Sequence, residues 1–241
     1  MIIKKKILGL FYLIILMIIF FLIINYDIYN KLNYDSLFFY KEKIILFKES
    51  HLMLSILIFS FSSMIWVFFM GFIFPFIVIS GLLFGQYYGT IICVISFTFG
   101  ATANFAFAKY FFKKKVNEFF RNKYPTIKKT ISKNNFKYFL LLRILPGIPF
   151  PVKNLSGVLF DLSRKKFFFA TFFGEIPQIY LFVTLFQNFF YSLNNTGKIN
   201  LKFIYSTEII LTITAYLSII LFADFLRKKF LNQKIYKPES K

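Results

Sequence analysis

Residues 71–84, Gly-Phe-Ile-Phe-Pro-Phe-Ile-Val-Ile-Ser-Gly-Leu-Leu-Phe, return 76 positions later as residues 147–160, Gly-Ile-Pro-Phe-Pro-Val-Lys-Asn-Leu-Ser-Gly-Val-Leu-Phe. Gly71, Phe74, Pro75, Ser80, Gly81, Leu83 and Phe84 recur without a gap as Gly147, Phe150, Pro151, Ser156, Gly157, Leu159 and Phe160. In a chain with 39 Phe, agreement among apolar residues alone would carry little weight. Two glycines, a proline and a serine in register carry more, and the pair reads as an internal repeat.

Around the repeat, 58% of the 241 residues are hydrophobic and the mean hydropathy is +0.64. One soluble core cannot hide that much apolar surface, so the chain reads as an integral membrane protein. Lys and Arg number 30 against 10 acidic residues, a net charge of +20. The basic residues lie in blocks, which suits the cytoplasmic flanks of membrane spans and argues against nucleic acid as a partner. The single cysteine, Cys93, sits in an apolar run and allows no disulfide framework. The single histidine, His51, excludes a multi-histidine zinc or di-iron cluster. With no Gly-rich phosphate loop and no histidine-dependent nucleophile either, neither an enzyme nor a cofactor is expected.

The charge map orients the repeat. Lys4, Lys5 and Lys6 precede an apolar run over 7–24, read as a retained anchor with its N-terminus in the cytoplasm. Residues 27–50 balance four lysines against four acids and suit the outer surface, so 1–50 is expected to be an anchor plus an amphipathic segment. Residues 52–108 carry no charge, whereas 109–137 hold ten basic residues and only Glu118. The latter must be cytoplasmic, so the uncharged run crosses an odd number of times. It holds either three tight spans or a hairpin over 52–86 that enters and leaves from outside, followed by a span over 88–108. Gly71, Pro75, Gly81, Gly85 and Gly89 interrupt the run and favour the hairpin. Phe112, Val116, Phe119 and Phe120 among the lysines suggest that 109–137 rests on the anionic inner leaflet, with membrane lipids as partners.

The second copy, over 138–160, is too interrupted by Arg143, Pro146, Pro149, Pro151 and Lys153 to span, and both its flanks are basic. It reads as a hairpin entering from the inside, opposite to the first. A span over 165–186 carrying Glu175, an outer loop, a last span over 203–224 carrying Glu208 and a basic cytoplasmic tail complete the chain. The expected fold is all-α and polytopic, with about four full spans and two oppositely oriented re-entrant hairpins shaped by Gly71, Pro75, Gly81, Gly85, Gly147 and Pro151. Residues 51–190 form the membrane domain and 191–241 the loop, last span and tail. Inverted repeats of this kind place irregular backbone near the midplane, where transporters bind what they move. Oligomeric state is not legible.

Gly81-Leu82-Leu83-Phe84-Gly85, Gly89, Gly100-Ala101 and a basic residue closing the helix precede Arg143-x-x-Pro146-x-x-Pro149-Phe150 with Asn154 and Gly157. Together these resemble the DedA superfamily, also called the SNARE-associated Golgi or VTT-domain family, within it the bacterial TVP-like branch. The resemblance covers roughly residues 70–190 and implies two facing re-entrant hairpins, a bacterial inner-membrane location and movement of lipids between leaflets. Eukaryotic members act as scramblases, and some bacterial members carry undecaprenyl phosphate. Lys109 stands where the branch usually has Arg, keeping the charge but losing bidentate phosphate geometry. Residues 71–89 hold no carboxylate, unlike true DedA members, and Glu175 lies outside the family pattern.

The candidate translocation path is Arg143, Pro146, Pro149, Lys153, Asn154, Gly157 and Glu175. Arg143 either holds a lipid phosphate or serves structurally, snorkelling or paired with a carboxylate. Lys153 and Asn154 either add headgroup contacts or are a positive-inside residue beside a helix cap. Glu175 either pairs with Arg143 or takes up protons. Three functions follow: a lipid translocase or scramblase, a proton-coupled carrier of a small solute, or a non-transporting organiser acting through 109–137.

Overall fold

The computed structural model describes residues 9–12, 14, 15, 17, 34–69, 71–123, 134–196 and 201–235. Among them there is no strand. In chain order the helices are α1 (Tyr34–Ser50), α2 (Leu52–Phe69), α3 (Phe74–Lys123), α4 (Asn135–Ile144), α5 (Phe150–Leu159), α6 (Arg164–Thr196) and α7 (Thr207–Ile235), with a 3₁₀ turn at Leu201–Tyr205 before α7.

Among the described residues four helices are long and apolar enough to cross a membrane, over Leu52–Phe69, Phe74–Phe119, Arg164–Leu193 and Thr207–Leu226. The second and third contain the spans expected at 88–108 and 165–186, and the fourth begins at Thr207, after the 3₁₀ turn, and so covers 207–224 of the span expected at 203–224. The first is an arm of the hairpin expected at 52–86, so that hairpin has one arm of spanning length. Of the expected anchor over 7–24, residues 9–12 are helical and 18–24 lie outside the described residues. The helix does not break where the lysines begin: α3 continues unbroken to Lys123, and residues 124–133 of the basic segment lie outside the described residues.

Each copy of the repeat folds as helix, turn, short helix, break and long helix. In the first, α2 reverses into residues 74–84 of α3, as Phe59 against Phe84 and Trp66 against Phe76 record. In the second, α4 reverses into α5, with Phe139 against Phe160. α4 and α5 have 10 residues apiece, roughly 15 Å each at helical rise and about half a bilayer core. Proline chemistry sets the second turn. Leu145 precedes Pro146 and is extended, which stops α4, and Pro151 sits in the first turn of α5, where its missing N–H is not needed.

The backbone carries the repeat further than the side chains do. Among the described residues four have positive φ: Gly71 (66°), Gly85 (72°), Gly147 (85°) and Asp161 (48°). They pair at the repeat spacing, Gly71 with Gly147 in the turns and Gly85 with Asp161 where each short helix ends. At the second break Asp161 N–H donates to the Val158 carbonyl and Leu162 N–H to that of Gly157, the pattern of a Schellman cap.

Packing follows the same symmetry. A Cβ on Gly100 would lie 2.6 Å from the Met64 carbonyl oxygen. One on Gly174 would fall on the Cβ of Arg143. Each long helix thus has a glycine where the first arm of its own hairpin crosses it closely. The short arms cross over. A Cβ on Gly81 would meet the Val183 carbonyl of α6 at 2.8 Å, and one on Gly157 would meet Phe105 of α3 at 3.0 Å. The hairpin turns approach each other, since a Cβ on Gly71 would lie 3.1 Å from Pro151. Between them α3 and α6 run antiparallel around a core that includes Phe97, Phe105, Phe139, Phe167, Ile179 and Val183.

Candidate functional site

The close approach at Gly174 brings α4 against α6 and points Arg143 into the protein, where it is fully buried. Its Nη1 donates to Glu175 Oε1 at 3.2 Å and its Nη2 to Asn154 Oδ1 at 2.8 Å. The guanidinium carbon lies 5.0–5.1 Å from the ring centres of Phe139, Phe150 and Phe167, an aromatic box that favours a desolvated cation. Lys153, from α5, donates to the Arg143 carbonyl at 2.7 Å and to Gln178 Oε1 at 3.0 Å, and lies 3.4 Å from the same Glu175 oxygen. Three elements therefore deliver two cations, one carboxylate and two amides to a site closed to solvent.

Charge and hydrogen bonds are both left incomplete. Two cations share a single carboxylate, so with every group ionised the cluster carries one excess positive charge. Arg143 Nε, Asn154 Nδ2 and Glu175 Oε2 have no partner although all are buried. Native proteins pair almost all such atoms, so two orphan donors beside an excess cation are what an entering oxyanion would complete.

The expected path residues divide accordingly. Arg143, Lys153, Asn154 and Glu175 meet in the cluster. Pro146 and Pro149 are exposed in the turn between α4 and α5. Gly157 is a packing position against Phe105 and Phe167. Of the positions expected to shape the hairpins, Gly71, Gly85 and Gly147 have positive φ, Gly81 packs on α6, and Pro75 and Pro151 each stand second in their helix. Sequence reasoning missed Gln178, whose signal is an amide one turn after Glu175 in an apolar helix. It also missed Phe139 and Phe167, which nothing distinguishes among so many, and it marked Phe150 as a repeat and motif position without assigning it to the arginine.

The same place in the first copy is apolar. The counterparts of Arg143, Lys153 and Asn154 at the repeat spacing are Val67, Ile77 and Val78. With Gly100 matching Gly174 by its packing role, the counterpart of Glu175 is Ala101. Val67, Ile77 and Ala101 are buried, so the first half packs as core where the second half carries charge.

A second polar feature closes the breaks at Gly85 and Asp161. Gln86 N–H donates to Gln187 Oε1 of α6. At the opposite end of the α3–α6 pair, Lys109 Nζ donates to the Leu162 carbonyl. Lys109 and Lys113 both reach Asp161 Oδ1, at 3.2 and 3.1 Å. Partial burial pushes the Asp161 carboxyl up, but Lys113 and Lys109 outweigh it and hold its pKa below the ordinary value. Gly9 packs by Phe111, and Tyr12 stacks on Phe107 and donates to the Phe69 carbonyl, so residues 9–12 lie near this lysine-rich end.

The sequence pattern of the VTT domain matches residues 61–188, which contain both short arms, both breaks and the buried cluster. An uncharacterized membrane protein of Arabidopsis thaliana is 32% identical over 108 residues, 44% of this chain and 38% of that protein. The chain thus matches well under half of that relative's length. No solved structure matches the chain. With just over half of its residues matched and four membrane-length helices, the chain is a membrane protein that belongs to the VTT-domain family, the DedA and SNARE-associated Golgi proteins.

Proposed function

We propose that this protein is a lipid translocase or scramblase, in which a phosphate-bearing headgroup passes between the two hairpins while the acyl or prenyl tails stay in the bilayer. The observation that carries this reading is the buried cluster of Arg143, Lys153, Asn154 and Glu175, with its excess cation and its orphan donors Arg143 Nε and Asn154 Nδ2. An intramembrane arginine beside non-helical backbone is costly without a ligand or a purpose. The Pro-rich turn that carries Pro146 and Pro149 is exposed and offers the approach. The site needs only to bind and release, so no covalent step is assigned and the protein is read as a carrier. We place it in a bacterial inner membrane with both ends cytoplasmic, a reading supported by the basic residues of 109–123 and 164–166 gathering at the end of the bundle near residues 9–12.

Purified protein in liposomes should accelerate leaflet exchange of a labelled phospholipid or polyprenyl phosphate, and Arg143→Ala should slow it. Wild-type rates no faster than empty liposomes across both lipid types would remove the reading. One observation favours a second one: Glu175 Oε2 is buried and unpartnered, as a protonatable coupling group would be. Solute uptake that requires a proton gradient and vanishes in Glu175→Gln would establish that alternative.

A further inference from the structure

The two breaks stand at equivalent positions of the repeat, both at positive φ, and are unequal in chemistry. Gly85–Gln86 and Asp161–Leu162 stand at the repeat spacing, each where a short helix ends and each held by the long helix of the other copy. At the first, one neutral amide from Gln187 suffices. At the second, two ammonium groups converge on a single oxygen of Asp161, whose side chain is 43% exposed. Closure alone therefore does not require ions. Nor does the backbone favour the residue: Asp161 has φ 48° where its counterpart is glycine, a conformation aspartate tolerates at some cost. The junction sets two cations against one partly exposed carboxylate, so a positive charge is left over at its mouth, where Lys113 is 48% exposed. Arg164 and Lys165 begin α6 just beyond and are exposed as well.

We propose that this junction is a docking site for the phosphate of an anionic lipid, which takes Lys109 and Lys113 from Asp161 and so frees the foot of the second hairpin. The occupant follows from charge complementarity and place. The lysines follow directly on the uncharged, membrane-length part of α3, and phosphate oxygens are the anions a bilayer presents at that depth. Asp161 then acts as an internal competitor that holds the hairpin shut when no such lipid is present. The site is separate from the buried cluster, and docking there does not presuppose translocation.

Hydrogen exchange read by mass spectrometry on the full chain in nanodiscs tests this without a transport assay. Phosphatidylglycerol discs should speed exchange over residues 160–164 by about two- to fivefold relative to phosphatidylcholine discs, the factor that loss of a surface ion pair permits. Exchange at 86–90, behind the neutral amide, should not respond. Lys109→Gln with Lys113→Gln should abolish the lipid dependence. Asp161→Asn should retain phosphatidylglycerol more strongly in native mass spectrometry, an effect that a merely structural ion pair would not produce. Equal exchange in the two lipids, or no gain in retention for Asp161→Asn, would overturn the proposal. If inorganic phosphate added to phosphatidylcholine discs reproduced the whole effect, the occupant would be a free anion and the lipid assignment would fall.

Discussion

Arg143 shows how one side chain organises a membrane core. Its guanidinium is held by Glu175 and Asn154 and boxed by three phenylalanines, and its carbonyl receives Lys153. Because the pair is desolvated, breaking it should be worse than never having it. Glu175→Gln leaves Arg143 and Lys153 without a counter-charge and should destabilise the protein by about 3–5 kcal/mol. Arg143→Met combined with Glu175→Leu should restore part of that loss, since it removes one of the two uncompensated cations and leaves only Lys153, still bonded to the backbone carbonyl at position 143 and to Gln178, without a counter-charge. Thermal unfolding in detergent compares the two. A double variant no more stable than Glu175→Gln would mean that the pairing is not what the residues contribute. Function should separate from stability here. The double variant folds but lacks the headgroup donor, so leaflet exchange should fall by about tenfold or more, as losing charge-assisted hydrogen bonds of ~1.5–3 kcal/mol implies. Gly174 is the silent partner of this site. Gly174→Ala would drive a methyl into Arg143 Cβ and should cost about 1–3 kcal/mol by overpacking.

At the scale of elements, the breaks decide where the helices end. Gly85 combines φ 72° with ψ −178°, a region essentially confined to glycine, so Gly85→Ala should destabilise by about 1–3 kcal/mol. Asp161 adds a charge dependence. Its pKa is lowered in the folded protein, so its contribution is present above the unfolded carboxyl value and is lost as pH falls through the folded one. With the side chain 43% exposed, that contribution should stay under about 1 kcal/mol. Melting below pH ~4, where an unperturbed aspartate begins to protonate, should therefore be less acid-sensitive in Asp161→Asn than in the wild type. These breaks were half legible in the sequence. Gly85 is a visible helix interrupter, whereas Asp161 looks like an ordinary polar residue after a hairpin until the repeat spacing aligns it with Gly85. The unbroken run of α3 through Lys109 to Lys123 was not legible, because lysines mark a membrane edge without ending a helix and are themselves good helix formers.

The membrane domain is two copies of one design wrapped around antiparallel long helices, and the doubled Gly-x-x-Phe-Pro stretch displays that design in the sequence itself. Spacing alone carried it, because glycine and proline constrain backbone and the same constraints recur in both copies. What spacing could not carry is the chemistry of the interior of each copy. Val67 and Arg143 occupy equivalent positions, and only the packing of Gly100 and Gly174 reveals that Ala101 and Glu175 do too. The first copy has become a scaffold and the second a site. If the copies are inverted in the membrane, their breaks must face opposite sides. Tyr87 and Ser163 are counterparts at the repeat spacing, both exposed, each two residues beyond its positive-φ break. Single cysteines at these two positions, in a Cys93→Ser background, should react with a membrane-impermeant thiol reagent from different faces. In intact cells position 87 should label and position 163 should not, and permeabilising the inner membrane should expose position 163. Labelling of both from one face would break the inversion. It would leave the antiparallel long helices intact but remove the reason for setting the Arg143 cluster of the second copy against an oppositely facing first hairpin.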